Sequence, residues 1–238
     1  MKKFKIGNRV YSNNSNWSFS GKIVSTFDKH INDSVPLYQE GHKIILNLSD
    51  YFIKNNSTVY DIGSSTGQLL KSLNQRNSSK KKVKYFGIEC VNDMIKFAKK
   101  KNNSKNINYL KKDIIKHKLK KNDLTISYYT LQFIPPRVRQ NVINKIYKSL
   151  NWGGAFVFFE KVRGPDARFQ DILTGMYNEF KLERGYEPEE IFNKTRSLKS
   201  VLEPFSTLGN LGLLKRAGFK DIVTIQKYIC FEGLLAIK

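Results

Sequence analysis

The sequence predicts an α/β fold: a doubly wound, mostly parallel sheet of seven strands, with a helical cap before it and a helical insertion after the fifth strand. Three observations predict it. From residue 57 onward, short runs rich in Val, Ile, Tyr and Phe alternate with segments whose apolar residues recur at helical spacing. Strands separated by helices pair through crossovers, which makes neighbours parallel and stacks helices on both faces. At 238 residues and 40 % hydrophobic content the chain can bury one sizeable core, and its sixteen Phe exclude a largely disordered chain.

Residues 1–55 read as an N-terminal helical cap, 56–238 as the sheet domain, and 163–203 as a helical lid inserted in it, all one structural domain. In the cap, YQEGHKIILNLSDYF is the clearest amphipathic stretch. STVYDIG is the first strand, and GQLLKSLNQR begins the helix after it. KVKYFGIE (82–89) is the second strand, followed by VNDMIKFAKKKN, where Met94, Ile95, Phe97 and Ala98 cluster for burial. INYLKKDI is the third strand and LTISYYTLQF (124–133) the fourth. RVRQNVINKIYKSL (137–150) sets Val138, Val142, Ile146 and Leu150 along one helix face. NWGG turns that helix into AFVFFEKV, the fifth strand. After the insertion, NLGLLKRAGF is a short helix ended by Gly218, and DIVTIQKYICFEGLLAIK reads as two strands with a turn near Glu232-Gly233.

The net charge of +22 invites a nucleic-acid partner. The make-up of that charge argues otherwise. Of 42 basic residues 33 are Lys and nine Arg, beside 22 Asn, the pattern an AT-rich coding sequence leaves on solvated surfaces. The runs KKKVK (80–84) and KKDIIKHKLKK (111–121) lack the Arg and interleaved aromatics of a strand-binding face. Direct nucleic-acid binding is not expected, although a basic surface can attract an anionic substrate. The N-terminal stretch is basic without a continuous apolar run, so it does not read as a secretory signal, and no membrane span is expected. Cys90 and Cys230 form neither a metal-ligand spacing nor a disulfide framework, which points to a reducing cytoplasm and no metal.

VYDIGSSTGQLL (59–70) joins the first strand to its helix through a turn bounded by Gly63 and Gly67. It is not a Walker phosphate loop, because no Gly-Lys-Ser/Thr follows at the required distance. Nor is it a dinucleotide fingerprint, since Ser65 and Gln68 stand where the second and third glycines belong. The turn therefore suits a ligand smaller or less anionic than a pyrophosphate; alone, it is equally an ordinary tight connection. Carboxylates at successive strand ends extend the reading. Glu89 ends the second strand, where a carboxylate can accept both ribose hydroxyls, and Asp113 ends the third, near where an adenine amino group would lie. Asp61, just before the loop, suits a positively charged amino-acid group. Each alone is also what a solvated strand end looks like. A ribose, an adenine and a zwitterionic amino acid together describe S-adenosylmethionine.

VYDIGSSTG, YFGIE, KKDI, SYYTLQF and NWGGAFVFFEK, in that order, resemble the class I S-adenosylmethionine-dependent methyltransferase superfamily, whose fold is Rossmann-like. FDKHINDSVPLYQEGHKII, YTLQFIPPRVRQNVINKIYKSLNWGGAFVFFEK and MYNEFKLERGYEPEEIFNKTRS are more specific, and resemble the carboxy-S-adenosylmethionine synthase family from about residue 19 to the last residue. The resemblance implies S-adenosylmethionine or carboxy-S-adenosylmethionine as cofactor. It places Tyr38, Gly63, Ser64, Ser65, Glu89, Cys90, Asp113 and Ile114 against it, with Asp61 and Gly67 framing the loop. It further implies that Arg196 holds the extra carboxylate and that Tyr128, standing where the family has Asn, contacts the cofactor; both are catalytic candidates. Ser64 and the Glu89–Cys90 pair also depart from the usual residues, Cys and Asp–Asn.

In that family the sulfonium acidifies the cofactor methyl, which gains the carbon dioxide released from prephenate, in a pathway that modifies the tRNA wobble uridine. Arg suits the new carboxylate because its planar fork donates two parallel charge-assisted hydrogen bonds and keeps its proton. The alternative is methylation of a small anionic metabolite, with RNA a less favoured acceptor. Methyl transfer needs the nucleophile held in line and, where the acceptor must lose a proton, a base such as His42 or Glu160. For His42 a solvated or capping role is the simpler reading, for Lys161 an ion pair with a neighbour, and for Glu160 a position facing the substrate. The insertion, studded with Phe169, Tyr177, Phe180 and Tyr186, is expected to be a lid that also forms a homodimer contact, as relatives suggest.

Overall fold

A two-rung hairpin, β1 (Phe4–Lys5) with β2 (Tyr11–Ser12), begins the chain in the computed structural model, and the structure describes residues 4–7, 11–12, 15, 17–21 and 23–238. Two cap helices follow, α1 (Ile23–Ser34) and α2 (Tyr38–Phe52), the second coinciding with the amphipathic stretch expected there. Leu37, in the left-handed region at φ 53°, breaks one helix from the other.

The alternating pattern then becomes β3 (Thr58–Ile62), α3 (Gln68–Arg76), β4 (Lys84–Glu89), α4 (Asn92–Lys101), β5 (Ile107–Lys111), β6 (Asn122–Tyr128), α5 (Pro136–Ser149) and β7 (Leu150–Lys161). The insertion forms α6 (Ala167–Glu183), its N-terminus capped by Asp166, and α7 (Pro188–Leu198), held by a capping box between Glu187 and Glu190. Helix α8 (Thr207–Ala217) precedes β8 (Asp221–Tyr228) and β9 (Phe231–Ile237).

The sheet order is β5-β4-β3-β6-β7-β9-β8, with five parallel strands and an antiparallel β9 between β7 and β8. Period-two alternation sorts the core. Val59, Val157 and Phe159 face one layer with Ile45, Leu70 and Ile95, while Tyr60, Phe156 and Phe158 face the other with Val142, Ile146 and Leu214. Each fully buried aliphatic side chain among these contributes about 1.5–3 kcal/mol by leaving water.

Three local expectations change. NWGG is no turn; it is the bulged start of β7, where pairing with β6 shifts register and Gly153 takes φ 72°. Strand β6 stops at Tyr128 because Tyr129, at φ 58°, leaves extended geometry, so the LQF of the expected strand is a short 3₁₀ turn instead. The last hairpin turns at Ile229-Cys230, not at Glu232-Gly233, which lie inside β9. A carboxylate followed by glycine looks exposed, but Glu232 is buried and accepts from Thr207 Oγ1 at 2.7 Å, with Lys227 Nζ at 3.6 Å. Gly233 lies flat because the Phe159 ring fills the place of a side chain.

Candidate cofactor and substrate site

A cavity of about 920 Å³ runs along the carboxyl ends of the parallel strands, under the cap helices and the insertion. It lies where such sheets bind ligands, at the switch point between β3 and β6, from which the chain winds outward in both directions. Ligand pockets measure roughly 300–1,000 Å³, so there is room for more than one small reactant.

One end is acidic. The loop after β3 folds tightly: Ile88 O accepts from Gly63 N at 2.7 Å and from Ser64 N at 3.2 Å. Gly63 has φ 74°, and a side chain there would strike Thr130. Gly67, at φ 79°, caps α3 against the Tyr109 ring; it shapes the loop without lining the cavity. Glu89 is oriented by two backbone donors, Ser65 N at 3.0 Å and Val91 N at 2.8 Å, leaving its carboxylate on the cavity wall. Ser64 Oγ is buried without a hydrogen-bond partner among the described residues. Asp61 is 2 % exposed, and burial, then the neighbouring Glu89 charge, pushes its carboxyl up to about 7. Asp113 lies two residues past the end of β5 and accepts from Ile115 N at 2.8 Å. It lines the cavity with buried Ile114 and exposed Cys90. From the cap, Asp28 Oδ1 accepts from Thr66 Oγ1 at 2.8 Å, which docks α1 on the loop.

The middle is aromatic. Tyr38, His42 and Tyr128 pack together with ring centroids 4.8–4.9 Å apart and planes tilted by 44–59°. Tyr128 donates to Tyr38 O at 2.6 Å, and its ring reaches α2 only because Gly41 has no side chain to collide with it. His42 is neither solvated nor a cap. It is 8 % exposed on the cavity wall, and burial lowers its pKa to about 4, so it stays uncharged at neutral pH. Glu160 does not face the cavity. It is buried toward Arg139, and desolvation outweighs Arg139 and the backbone donors of Leu131 and Gln132 to raise its carboxyl to about 8. Tyr129 lines the cavity beside Tyr128, 5 % exposed, its Oη without a partner among the described residues.

The far end is basic. Lys161 lines it and stacks its ammonium on the Tyr177 ring, in place of the ion pair expected. Lys181 and Lys194, from the insertion, are 4 % and 7 % exposed and line it too. Burial, then the charges of its fellow lysines, lowers Lys181 to about 8 and Lys194 to about 7. Arg196 is exposed on α7, outside the cavity-lining residues, with its guanidinium 5.4 Å from the Phe192 ring centroid. Sequence reasoning passed over Lys181, Lys194 and Tyr129. A signal existed for one of them, since Tyr177 and Lys181 are four apart and so share a helix face.

The loop glycines, the orphaned Ser64 hydroxyl, the oriented Glu89 and the buried Asp61 form a cradle that fits a nucleoside bearing an ammonium group. Sheet order and site together define an S-adenosylmethionine-dependent transferase. A family model described as "Methyltransferase domain" matches residues 59–154. The fold resembles that of human N-acetylserotonin methyltransferase solved with S-adenosylmethionine (TM-score 0.53, 17 % identity, 93 % of this chain and 63 % of that one). It also resembles an O-methyltransferase family protein from Burkholderia thailandensis (TM-score 0.62, 14 % identity, 92 % and 61 %). The carboxy-S-adenosyl-L-methionine synthase of Staphylococcus epidermidis is 39 % identical over 223 residues, covering 93 % of this chain and 97 % of the relative. Its namesake from Campylobacter lari is 31 % identical over 224 residues, covering 93 % and 94 %. The chain belongs to the carboxy-S-adenosyl-L-methionine synthase family. It is an enzyme, with S-adenosylmethionine or its carboxylated form as cofactor or substrate. Among the described residues no helix is long and apolar enough to cross a membrane.

Proposed function

We propose that this transferase carboxylates S-adenosylmethionine at the expense of prephenate, and that the product feeds tRNA wobble-uridine modification in the cytoplasm. The observation that supports the reading is the continuity of the cavity: a carboxylate-lined end suited to the nucleoside opens into an end walled by lysines, and prephenate is a dianion. The bound sulfonium supplies an acidic methyl group; the chain's residues hold and order the reactants. Asp61 and Glu89 fix the amino-acid and ribose ends, with the Gly63–Gly67 loop, Asp113 and Ile114 around the nucleoside. Tyr38, His42 and Tyr128 wall the reacting centre from water, and a neutral His42 adds no charge beside a cation.

In this reading residues 1–55 are the cap, 163–203 the lid, and 56–238 the cofactor-binding unit of one domain. Arg196 stands outside its own chain's cavity, so it reaches the added carboxylate from a second copy in a homodimer. Exposed Phe169, Ile172 and Met176 along α6, with Phe192 on α7, are an apolar surface of the kind a second copy covers. A second reading, methylation of a small anionic metabolite, draws on Tyr128 in place of the family Asn.

Mass spectrometry of the nucleoside released from purified protein, followed by turnover with prephenate, tests the proposal. Carboxy-S-adenosylmethionine among the products is the expected result. Demethylated cofactor as the sole product, with a methylated metabolite, would replace it by the second reading.

A further inference from the structure

The chain between β5 and β6 has no helix to shape it. Residues 112–121 leave the sheet after Lys111 and return at Asn122, and Lys112, Asp113, Ile114 and Ile115 line the cavity on the way. Sheet bonding ends where Lys112 N donates to Glu89 O at 3.0 Å. Beyond it the bonds turn inward. Asp113 O accepts from Lys116 N at 3.1 Å and His117 N at 2.8 Å, and Asp113 Oδ1 accepts from Ile115 N at 2.8 Å. A turn closed on itself is not thereby fixed to the sheet, and its remaining carbonyls still need donors.

One side chain supplies them. Lys145 Nζ, from α5, donates to Ile114 O at 2.7 Å, Ile115 O at 3.0 Å and His117 O at 2.8 Å. An ammonium has three donors, and here each meets a carbonyl. Among the described residues, these are the hydrogen bonds that tie residues 113–119 to another element. Bonds to a charged donor are about twice as strong as neutral ones, so the clamp outweighs the turn's own bonds. The helix beneath it is firmly seated, since Val142, Ile143 and Ile146 are at most 1 % exposed. Lys145 does not line the cavity; it lines a separate surface groove with Lys118, Leu119, Lys121 and Asn144. It therefore reaches a ligand only through the backbone it holds. Ile115 makes that path short: its carbonyl accepts from Lys145, and its N–H orients the Asp113 carboxylate.

We propose that Lys145 is a positioning residue for the nucleoside: it anchors the Asp113–Ile115 turn to α5, and so sets how tightly and how selectively the base is held. The inference deepens the transferase reading and rests on it for the presence of a nucleoside beside Asp113. A carboxylate accepts from an exocyclic amino group and repels a carbonyl oxygen in the same place. That choice depends on where the carboxylate stands. Once the turn can drift by about an ångström, Asp113 no longer meets either group, and the choice is lost.

Calorimetric titration tests it with two probes, S-adenosylhomocysteine and S-inosylhomocysteine, which carries oxygen in place of the adenine amino group. Wild type should prefer the adenine form by at least about tenfold, the equivalent of about 1.4 kcal/mol. Lys145→Met keeps the apolar stem and loses the three donors. It should weaken S-adenosylhomocysteine by about tenfold and leave the inosine form within about twofold, so that the preference disappears. Lys145→Arg keeps several donors and should restore most of the preference. Lys148→Met, exposed about one turn away in the same groove, should change neither affinity. Hydrogen exchange adds a readout that needs no ligand. In Lys145→Met the Lys116 and His117 amides should exchange at least about tenfold faster, while those of Ile143 and Ile146 are unchanged. A base preference that survives Lys145→Met, or that vanishes equally in Lys148→Met, overturns the proposal, and so does a wild type that shows none. Failure of wild type to bind either nucleoside would instead overturn the cofactor reading, and the exchange rates would still decide whether Lys145 anchors the turn.

Discussion

The two ends of the cavity bury opposite charges by opposite means. At the acidic end Asp61 and Glu89 sit at the ends of adjacent strands, and backbone donors and a glycine turn hold the loop and the Glu89 carboxylate around them. At the basic end the lysines come from a strand and two helices of an insertion, held by rings, a serine and a neutral histidine. The acidic end is built by the sheet itself, its loop held by backbone hydrogen bonds that need no ligand. The basic end is assembled across elements, and its three lysines make no ion pair among the described residues. The first is preorganised for binding; the second holds like charges that repel one another.

The largest effect should come from breaking the acidic end's backbone. Gly63→Val forces a branched residue to φ 74° and drives it into Thr130, costing about 2–6 kcal/mol from strain and overpacking combined. Gly153, at φ 72° with nothing near it, supplies the control: Gly153→Ala should cost about 1 kcal/mol. Thermal melts and titration with S-adenosylhomocysteine should show the first variant losing both stability and cofactor binding, and the second losing little of either. Similar behaviour in the two would mean the loop is less rigid than its geometry indicates.

Stability against pH separates the ends next. Burial and the Lys161 charge hold Lys181 at about 8 against an ordinary 10.5, so the native state binds fewer protons than the unfolded chain between those values, and Lys181 makes stability rise with pH there. Burial and Glu89 hold Asp61 at about 7 against 3.8, so the native state binds more protons in that window, and Asp61 makes stability fall as pH rises through it. Each slope approaches about 1.4 kcal/mol per pH unit at most. Lys181→Met should therefore stabilise the ligand-free protein at neutral pH and flatten the alkaline rise, while Asp61→Asn flattens the acidic fall. A Lys181→Met protein less stable than wild type would mean that the ammonium already has its countercharge.

Cofactor binding gives a smaller effect confined to one end. Pairing with an ammonium requires ionised Asp61, so S-adenosylhomocysteine affinity should rise by up to about tenfold per pH unit below 7 and level off above it. Asp61→Asn should remove that slope. Binding of phenylsuccinate, a stable ring-bearing dianion in place of prephenate, should not share it, because Asp61 is not among the charges acting on Lys161, Lys181 or Lys194; a common slope would mean that the ends titrate as one unit.

The ends were also unequally legible in the sequence. Strand alternation, the Gly63–Gly67 turn and the carboxylates at successive strand ends are local patterns, and each survives in the structure because the sheet converts chain order directly into position. Asp113 shifted only by two residues beyond its strand, still on the cavity wall. The basic end has no local pattern. Lys161, Lys181 and Lys194 meet only through the docking of α6 and α7, and among 33 lysines an unusual one does not stand out. Glu160 misled because strand alternation sends it to the opposite face from Lys161, and a register one residue off exchanges the two. Glu232 misled for a related reason: partners distant in sequence bury a charge that composition alone places outside.

The smallest effects decide between two neighbouring tyrosines. Tyr128 occupies a position where the family resemblance implies a cofactor contact, yet its hydroxyl is already used, donating to Tyr38 O at 2.6 Å. Tyr129 occupies no such position, yet its hydroxyl is buried, on the cavity wall and unpartnered among the described residues. Tyr128→Phe removes a satisfied donor and leaves a carbonyl short of one, so it should cost about 1 kcal/mol of stability. Its effect on phenylsuccinate affinity should be nil. Tyr129→Phe removes a buried hydroxyl with no hydrogen-bond partner among the described residues, so stability should hold or rise slightly. Phenylsuccinate affinity should nevertheless fall by at least about tenfold, the value of one hydrogen bond to a charged group. Melting temperature and titration on both variants separate the cases, because a residue that holds the fold moves the first readout and one that holds the ligand moves the second. If Tyr129→Phe lowers the melting temperature and leaves binding untouched, the strained backbone at Tyr129 serves packing, and the basic end recognises its anion through lysines alone.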